Sequence, residues 1–331
     1  MLGRTASGLF WMARLLERAE NTSRLVEAGF RMALTRTQPG EEEWRSVLVT
    51  AGCCDAYLAR HDTITGDKVA DFALRDRSNP SSVMSTLHAA RENARMTRTA
   101  LTREMWEAIN DFWMAVRDAL KRAPSETDLP EILTMIRQQG AQVRGATTGT
   151  MLRNDIYNFI LLGIMFERAD NTARILDTKY YVLLPSSASV GSSLDNVQWE
   201  SILRSVSAHR AYGWVYDDDY KPANIAERSF HWLNGGNITP RAIADFLIFD
   251  TRMPRSLAYC YDTITHQLDC LFRQYGQRLG THDLAESLEA SLTATTIESV
   301  FENGLHEFLS DFLRRNASLS AQIETDFRFA E

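Results

Sequence analysis

Residues 16–27 read LERAENTSRLVE, and residues 166–177 read FERADNTARILD. Six positions are identical, and most of the others exchange similar residues, such as Glu20 for Asp170. We call these stretches the first and second motif copies and interpret them as one duplicated segment. Each copy places glutamate, arginine and asparagine in a segment that otherwise has the composition of a buried helix. Because buried polar groups need partners, the motif marks a candidate site.

The similarity continues beyond the motif copies and keeps the same order along the chain. The motif copies are 150 residues apart, the next matching block is 155 residues apart, and a third block is 174 residues apart. The second block is Trp44, Ser46, Leu48, Ala56 and Tyr57, which match Trp199, Ser201, Leu203, Ala211 and Tyr212; the third is Ala70, Asp71, Phe72, Asp76, Pro80 and Ser82, which match Ala244, Asp245, Phe246, Asp250, Pro254 and Ser256.

The increasing offset places extra residues in the second half of the chain. We expect these residues to form loops at 185–194 and 217–237. A chain of 331 residues is compatible with two domains or with one duplicated fold whose halves share a core. We predict a single domain over residues 1–331, with a first repeat at 1–127 and a second repeat at 151–318.

The composition excludes several classes of protein. The chain is 44% hydrophobic and 24% charged, which allows a sizeable core, and its net charge of -7 argues against a sequence-independent nucleic-acid binder. Four cysteines form neither a disulfide framework nor a zinc spacing, so we expect a reducing, cytoplasmic compartment. The most apolar run, residues 159–166, is too short to span a bilayer, and we expect no membrane association.

Nearly every long segment has the composition and periodicity of a helix. The eight prolines fall mostly between segments that are rich in good helix formers, and no run alternates as a strand does. The sequence therefore predicts an all-α fold, an internally duplicated helical bundle whose halves are related by a pseudo-two-fold axis. Predicted helices include Gly8–Leu34, Glu41–Ala59, Asn154–Leu183, Val197–Tyr212, Pro240–Phe249 and Ala294–Phe327.

The polar residues of each motif copy share one face of a helical wheel. The second motif helix begins with the apolar run 159–166, so we expect other helices to cover it and its polar face to be buried. Duplication then predicts that the two faces meet across the pseudo-two-fold axis in one central site. The face consists of Arg14, Glu17, Asn21 and Arg24 in the first copy, and of Glu167, Asn171 and Arg174 in the second, where Ile164 replaces Arg14.

Three interpretations of this face are open. Glutamate and arginine between packed helices often form a buried ion network that fixes register and adds little net stability. A pocket for an anionic or amide-bearing ligand is the second interpretation, because arginine presents a rigid fork that suits carboxylate and phosphate. The third interpretation is catalysis by Glu17 or Glu167. General acid or base catalysis needs a raised carboxyl pKa, whereas neighbouring arginines lower the pKa.

A second polar segment supplies further candidate residues, and several known catalytic and metal-binding motifs do not occur in the sequence. Arg91, Glu92, Asn93 and Arg95 repeat the residue types of the motif, and we include them as ligand-binding candidates, with a solvated helix face as the alternative. None of the seven histidines follows a glutamate by three residues, so a di-iron site is excluded. His-Glu-x-x-His, Gly-x-Ser-x-Gly and Gly-x-Gly-x-x-Gly motifs are also missing, and we expect no metal and no cofactor.

The repeated Glu-Arg string, the segment Ala90–Arg95 and the Asp-x-x-x-Pro-x-Ser blocks resemble the bacterial alpha-E family, which is named for its helical fold and Glu-Arg motif. The resemblance covers essentially the whole chain. It implies a partner, because members are typically encoded beside, or fused to, a circularly permuted ATP-grasp protein and a transglutaminase-like protein, in gene sets proposed to make or process peptide or amide bonds. The family motif maps onto Glu17, Arg18, Asn21 and Arg24, and onto Glu167, Arg168, Asn171 and Arg174.

The resemblance and the motif together lead to a functional hypothesis. We expect an accessory component that binds the ATP-grasp protein and positions a carboxylate, amino-acid or peptide ligand. One alternative is an enzyme of amide-bond or peptide metabolism that uses Glu17 or Glu167 as acid or base. The other is a purely structural homo-oligomer in which the motif locks helix register.

Overall fold

A computed structural model describes residues 1–34, 40–181, 193–216 and 239–330, with the backbone alone at 178–181 and 193–197. Within these ranges the regular elements are helices, so the predicted all-α class is confirmed. They are α1 (Gly3–Leu34), α2 (Glu41–Thr50), α3 (Cys54–Leu58), α4 (Gly66–Leu74), α5 (Val83–Met96), α6 (Arg103–Ala119), α7 (Leu129–Thr150), α8 (Asp155–Tyr181), α9 (Ser193–Ser205), α10 (His209–Tyr216), α11 (Pro240–Phe249), α12 (Leu257–Tyr275), α13 (Gly280–Ala294), α14 (Ile297–Asn303) and α15 (Leu305–Asp326).

The helices of the first half recur in the second half in the same order. Helices α1 to α6 correspond to α8 to α13, and α7 corresponds to α15. Equivalent turns also repeat the same hydrogen bonds: the hydroxyl of Ser82 caps α5 by accepting from the amide of Ser85, and the hydroxyl of Ser256 caps α12 by accepting from the amide of Tyr259. Such serine caps stabilise a helix by about 1 kcal/mol. The predicted duplicated bundle is therefore confirmed.

The two motif helices, α1 and α8, lie side by side at the centre. Their contacts advance in the same direction along both helices, because Gly163 lies against Phe10 and Arg168 contacts Glu17 farther along each helix. The helices therefore run parallel, and the pseudo-two-fold axis runs between them. Gly163 permits the close approach, since a Cβ atom there would lie 2.3 Å from the carbonyl oxygen of Phe10.

Other helices enclose both motif helices. Helix α1 packs against α5 and α7, helix α8 packs against α12 and α15, and each motif helix also contacts the second helix of the other half. Phe159, Leu162 and Phe166 of the apolar run are fully buried, as predicted, and each stabilises the fold by about 1.5–3 kcal/mol. Among the described helices, none combines the length and apolar character that a membrane crossing requires.

Two predicted helices are broken at equivalent positions. The prediction of one helix over 41–59 is wrong, because Gly52 adopts a left-handed conformation with φ +66° between α2 and α3. The prediction over 197–212 is wrong for the same reason, because Ser207 adopts φ +55° between α9 and α10. Glycine takes this conformation without strain, whereas serine does not. The left-handed turn is therefore present in both halves, but it is formed by a glycine in the first half and by a serine in the second.

The other differences from prediction concern element ends and loops. The helix predicted over 294–327 is divided into α14 and α15 by Gly304, whose φ is +102°. Of the loop predicted at 185–194, the last two residues already belong to α9, and the rest lies outside the described residues. The loop predicted at 217–237 lies wholly outside them.

Candidate functional site

The two motif copies pair with each other reciprocally. Arg168 donates to both carboxylate oxygens of Glu17, with Nε–Oε1 and Nη2–Oε2 distances of 3.1 and 3.3 Å. Arg18 donates to both oxygens of Glu167 in the same way, at 2.6 and 2.9 Å. Each glutamate therefore binds the arginine of the other copy, and both glutamates are buried, with 3% and 4% of their surface exposed. This geometry is the bidentate fork that arginine forms with carboxylates.

Each glutamate receives a further arginine, but from non-equivalent positions. Arg255 lies 2.9 Å from Oε1 of the first glutamate, and it stands where the first half has Ser81. Arg14 donates to Oε2 of the second glutamate at 3.1 Å, and it stands where the second copy has Ile164. Different arginines thus fill the same role on the two sides of the axis.

Glu20 joins the first motif copy to helix α7 and to the turn before α12. Its Oε1 accepts from Nη2 of Arg24 at 2.6 Å and lies 3.3 Å from Nη2 of Arg255, while its Oε2 accepts from Arg144 of α7. The glutamate is 1% exposed. The equivalent pair of the second copy, Asp170 and Arg174, contacts at 2.7 Å at the surface, where 43% of the arginine side chain is exposed.

The three buried carboxylates are held in the ionised form. Burial alone would raise the pKa of Glu17, but Arg168 and Arg255 outweigh burial and hold its pKa far below the usual range. Burial is likewise outweighed by Arg18 and Arg14, which lower the pKa of Glu167. For Glu20, burial and the neighbouring glutamate oppose ionisation, yet Arg24 and the other arginines still lower its pKa.

These contacts form what we call the central network, which carries surplus positive charge. Three carboxylates face six guanidinium groups. Burial together with the charges of Arg168 and Arg24 outweighs the attraction of Glu17 and lowers the pKa of Arg255 to about 10. The central network comprises Glu17, Glu20 and Glu167 with Arg14, Arg18, Arg24, Arg144, Arg168 and Arg255.

The motif asparagines lie beside this network. The side-chain oxygen of Asn21 accepts from Nη1 of Arg255 at 3.1 Å. The amide nitrogens of Asn21 and Asn171 are buried without a hydrogen-bond partner among the described residues. These equivalent donors could each hold a water or a ligand oxygen, because an unpaired buried donor costs about 1–3 kcal/mol.

The structure does not bring every candidate residue to the centre. Arg174 pairs with Asp170 at the surface, where 43% of the arginine side chain is exposed. Residues 91–95 of α5 pair locally: Arg91 donates to Asn110 of α6 at 2.7 Å, and Arg95 donates to Glu92 at 2.8 Å. These bonds place residues 91–95 in a half-exposed polar face between α5 and α6.

Sequence reasoning missed three members of the central network. Glu20 lies within the first motif copy, but its exchange for Asp170 in the second copy gave no sign that Glu20 is buried. Arg255 had a usable signal, because it replaces Ser81 inside an otherwise matching block. Arg144 lies on α7, whose sequence could not be aligned between the halves, so only the fold places it near Glu20.

Comparison with known proteins identifies one family. The chain matches the model of the Alpha-E family, described as a predicted alpha-helical domain with a conserved ER motif, over residues 1–228 and 226–327. Glu-Arg pairs occur in both motif copies, at Glu17–Arg18 and Glu167–Arg168, and these residues bind each other across the axis. No curated protein and no solved structure gives a significant match.

Proposed function

We propose that this chain, which belongs to the Alpha-E family of helical proteins, is a non-catalytic accessory component of an ATP-grasp-linked system that forms peptide or amide bonds. The observation that supports a non-catalytic role is the reciprocal pairing of the motif. Both oxygens of Glu17 and of Glu167 accept hydrogen bonds from arginine. In this proposal the Glu-Arg motif holds the two halves in register rather than acting on a substrate.

The electrostatics of the glutamates support the same conclusion. A general acid or base works best when its pKa lies near the working pH and when it can reach the proton that moves. The pKa values of Glu17 and Glu167 are shifted in the opposite direction, and both side chains are buried beneath arginines. An enzyme that uses either glutamate as acid or base is therefore the weaker proposal.

The proposed ATP-grasp partner rests on the resemblance of the chain to the alpha-E family. One surface suits such a contact: Leu2 and Leu152, at equivalent positions before α1 and α8, are 77% and 75% exposed. They lie at the same end of the parallel motif helices, where the amino group of Met1 is 3.8 Å from the carboxylate of Asp155. Tyr275 adds a 39% exposed aromatic ring and donates to Asp155 at 2.7 Å.

Co-purification tests the partner proposal. The chain and a circularly permuted ATP-grasp protein of the kind encoded beside alpha-E family members are produced together, one with an affinity tag, and Leu2→Ser is combined with Leu152→Ser. We expect the unchanged pair to form a complex and the double variant to lose it, because apolar contact area is removed. Leu284→Ser is the matched control, since Leu284 is a 41% exposed leucine on another helix, α13. A complex that is missing in the unchanged pair contradicts the proposed partner.

Activity of the reconstituted system tests the non-catalytic role. Glu17→Gln combined with Glu167→Gln should lower folding stability, and any loss of product should follow the fraction of unfolded protein. Full folding with abolished turnover would instead support a catalytic glutamate.

A further inference from the structure

A cleft rich in arginine opens at the C-terminal end of the first motif copy. Its volume is about 360 Å³, and its walls come from α1, α7, α9 and the start of α10. Glu27 is the one carboxylate among its described lining residues. Five arginines line the cleft: Arg24, Arg31, Arg137, Arg204 and Arg210.

We propose that this cleft binds a multiply charged oxyanion, with phosphate or carboxylate groups. Guanidinium groups present forked donors that match the oxygens of both groups. The hydroxyl of Ser207 also lines the wall; its oxygen accepts from Arg24, and its own hydrogen can be donated to the anion. The volume lies within the range of small-molecule pockets. The inference goes beyond the proposed accessory role, because it holds with or without an ATP-grasp partner.

The charges around the cleft leave a cationic surplus. Glu27 pairs with both Arg31 and Arg137, so one carboxylate serves two guanidinium groups. Arg204 pairs with Glu200, which also lies 3.0 Å from Nε2 of His209. Such sharing leaves donors of the paired arginines available to an incoming anion.

The remaining two arginines add to this surplus. Arg24 shares Glu20 with Arg144 and Arg255 of the central network. Arg210 is exposed, and no described carboxylate lies within ion-pair distance of it. The described carboxylates therefore neutralise only part of the positive charge in the cleft, and a bound anion would neutralise more of it.

Ser207 gives an independent reason to assign a role to this cleft. Its backbone lies in the left-handed region at φ +55°, whereas the equivalent turn of the first half uses Gly52 at φ +66°. Glycine would relieve the strain, and strained non-glycine residues occur preferentially at functional sites. The serine hydroxyl accepts from Nη1 of Arg24 and so fixes one arginine at the cleft wall. We assign Ser207 as a positioning residue for the anion.

Calorimetric titration of the full chain tests the proposal. The probes are inorganic phosphate, pyrophosphate and citrate, with sodium chloride at matched ionic strength as the blank. We expect pyrophosphate or citrate to bind more tightly than monovalent chloride. Binding of pyrophosphate alone identifies phosphate chemistry, and binding of citrate alone identifies carboxylate chemistry. Heat no different from chloride for all three probes overturns the proposal.

Surface variants show whether binding occurs in the cleft. Arg204→Gln and Arg210→Gln change exposed side chains and should each weaken binding by about tenfold, since each removes a charged hydrogen bond. Arg103→Gln is the control, because Arg103 is an 80% exposed arginine on α6. Equal weakening by all three variants would indicate unspecific attraction and would contradict a built site.

A reciprocal exchange at the duplicated turn separates positioning from stability. Ser207→Gly should weaken anion binding severalfold while its thermal unfolding temperature rises. Gly52→Ser should lower the unfolding temperature and leave binding unchanged, because nothing lies within 4 Å of a Cβ atom at Gly52 and only backbone strain is added. If Ser207→Gly binds as well as the unchanged protein, Ser207 has no positioning role.

Discussion

In the first motif copy the acid–arginine pair Glu20–Arg24 is buried and linked to other helices, whereas its counterpart Asp170–Arg174 lies at the surface. The crossed pairs Glu17–Arg168 and Arg18–Glu167 are instead equivalent in the two copies, because each copy supplies one glutamate and one arginine. The part of the motif nearest the axis has thus kept its symmetry. The outer part has diverged, and it opens into the arginine-lined cleft in the first copy.

This difference separates two roles of one duplicated sequence. Crossed pairs at the axis fix how the halves fit together, because a shift of one helix would leave buried charges without partners. The outer end is free to differ, since one copy there faces the cleft and the other faces the surface. Function is therefore expected where the copies differ, and structural constraint where they agree.

The largest expected effect is the loss of a buried carboxylate on the less exposed side of the axis. Glu17→Gln leaves Arg168 and Arg255 facing each other with side chains only 9% and 7% exposed. We expect a loss of about 3–5 kcal/mol in the free energy of unfolding, the cost of breaking a buried ion pair. Denaturation in urea measures it.

The equivalent change in the second copy sharpens the comparison. Glu167→Gln leaves Arg14, which keeps the hydroxyl of Ser320 as a partner, and Arg18, whose side chain is 30% exposed, so that water can solvate its charge. We expect a smaller loss than for Glu17→Gln. Equal losses would mean that the surroundings of the two crossed pairs do not differ energetically.

Acid should destabilise the fold through the same carboxylates. Glu17 and Glu167 have lowered pKa values when folded, so their stabilisation is complete above the unfolded value of about 4.3 and decreases as the pH falls below it. Glu17 contributes a slope of about 1.4 kcal/mol per pH unit below that point, because its folded pKa lies far below this range. Urea titrations from pH 6 to pH 3 should give a shallower slope for Glu17→Gln. An unchanged slope would show that Glu17 is not the titrating group.

The duplicated turn should give a moderate effect of opposite sign in the two halves. Ser207→Gly should raise the free energy of unfolding by about 1 kcal/mol, and Gly52→Ser should lower it by about the same amount, because a left-handed conformation is strained for serine. Paired thermal denaturation curves measure both changes. Shifts in the same direction would contradict the equivalence of the two turns.

The smallest effect is expected at the outer pair of the second copy. Asp170→Asn should cost only about 0.3–0.5 kcal/mol, which is typical of an exposed pair one helical turn apart. Glu20→Gln should cost several times more, because it leaves Arg24 and Arg144 without their carboxylate partner and leaves Arg255 with Glu17 alone. Similar costs for Asp170→Asn and Glu20→Gln would remove the proposed difference between the outer ends.

The sequence predicted the fold well where periodicity and duplication agree. The all-α class, the buried apolar run 159–166 and the meeting of the motif helices all follow from residue patterns. The breaks at Gly52 and Ser207 did not, because the flanking residues favour helix and a single left-handed residue decides the turn. Helix propensity averages over a segment, whereas one backbone angle can end it.

The sequence predicted the residues of the central network that lie on the motif helices, but not those that other parts of the fold supply. Glu17 and Glu167 belong to the polar face that the repeat predicted, whereas Arg18 and Arg168 were selected through the motif of the resembled family. Arg144 and Arg255 come from positions outside the two motif helices, which duplication gives no reason to expect. Only the packing of α7 and of the turn before α12 brings them to the carboxylates.

A double-mutant cycle on Glu17→Gln and Arg168→Gln tests most directly whether the motif acts as a crossed lock between the two halves. Urea denaturation of the two single variants, the double variant and the unchanged protein gives their coupling energy. The crossed pairing predicts a coupling energy of about 2 kcal/mol between Glu17 and Arg168. A second cycle on Glu17→Gln and Arg18→Gln, two motif residues of the same copy, should give a coupling energy below about 0.5 kcal/mol. Strong coupling within the copy and none across it would contradict the account.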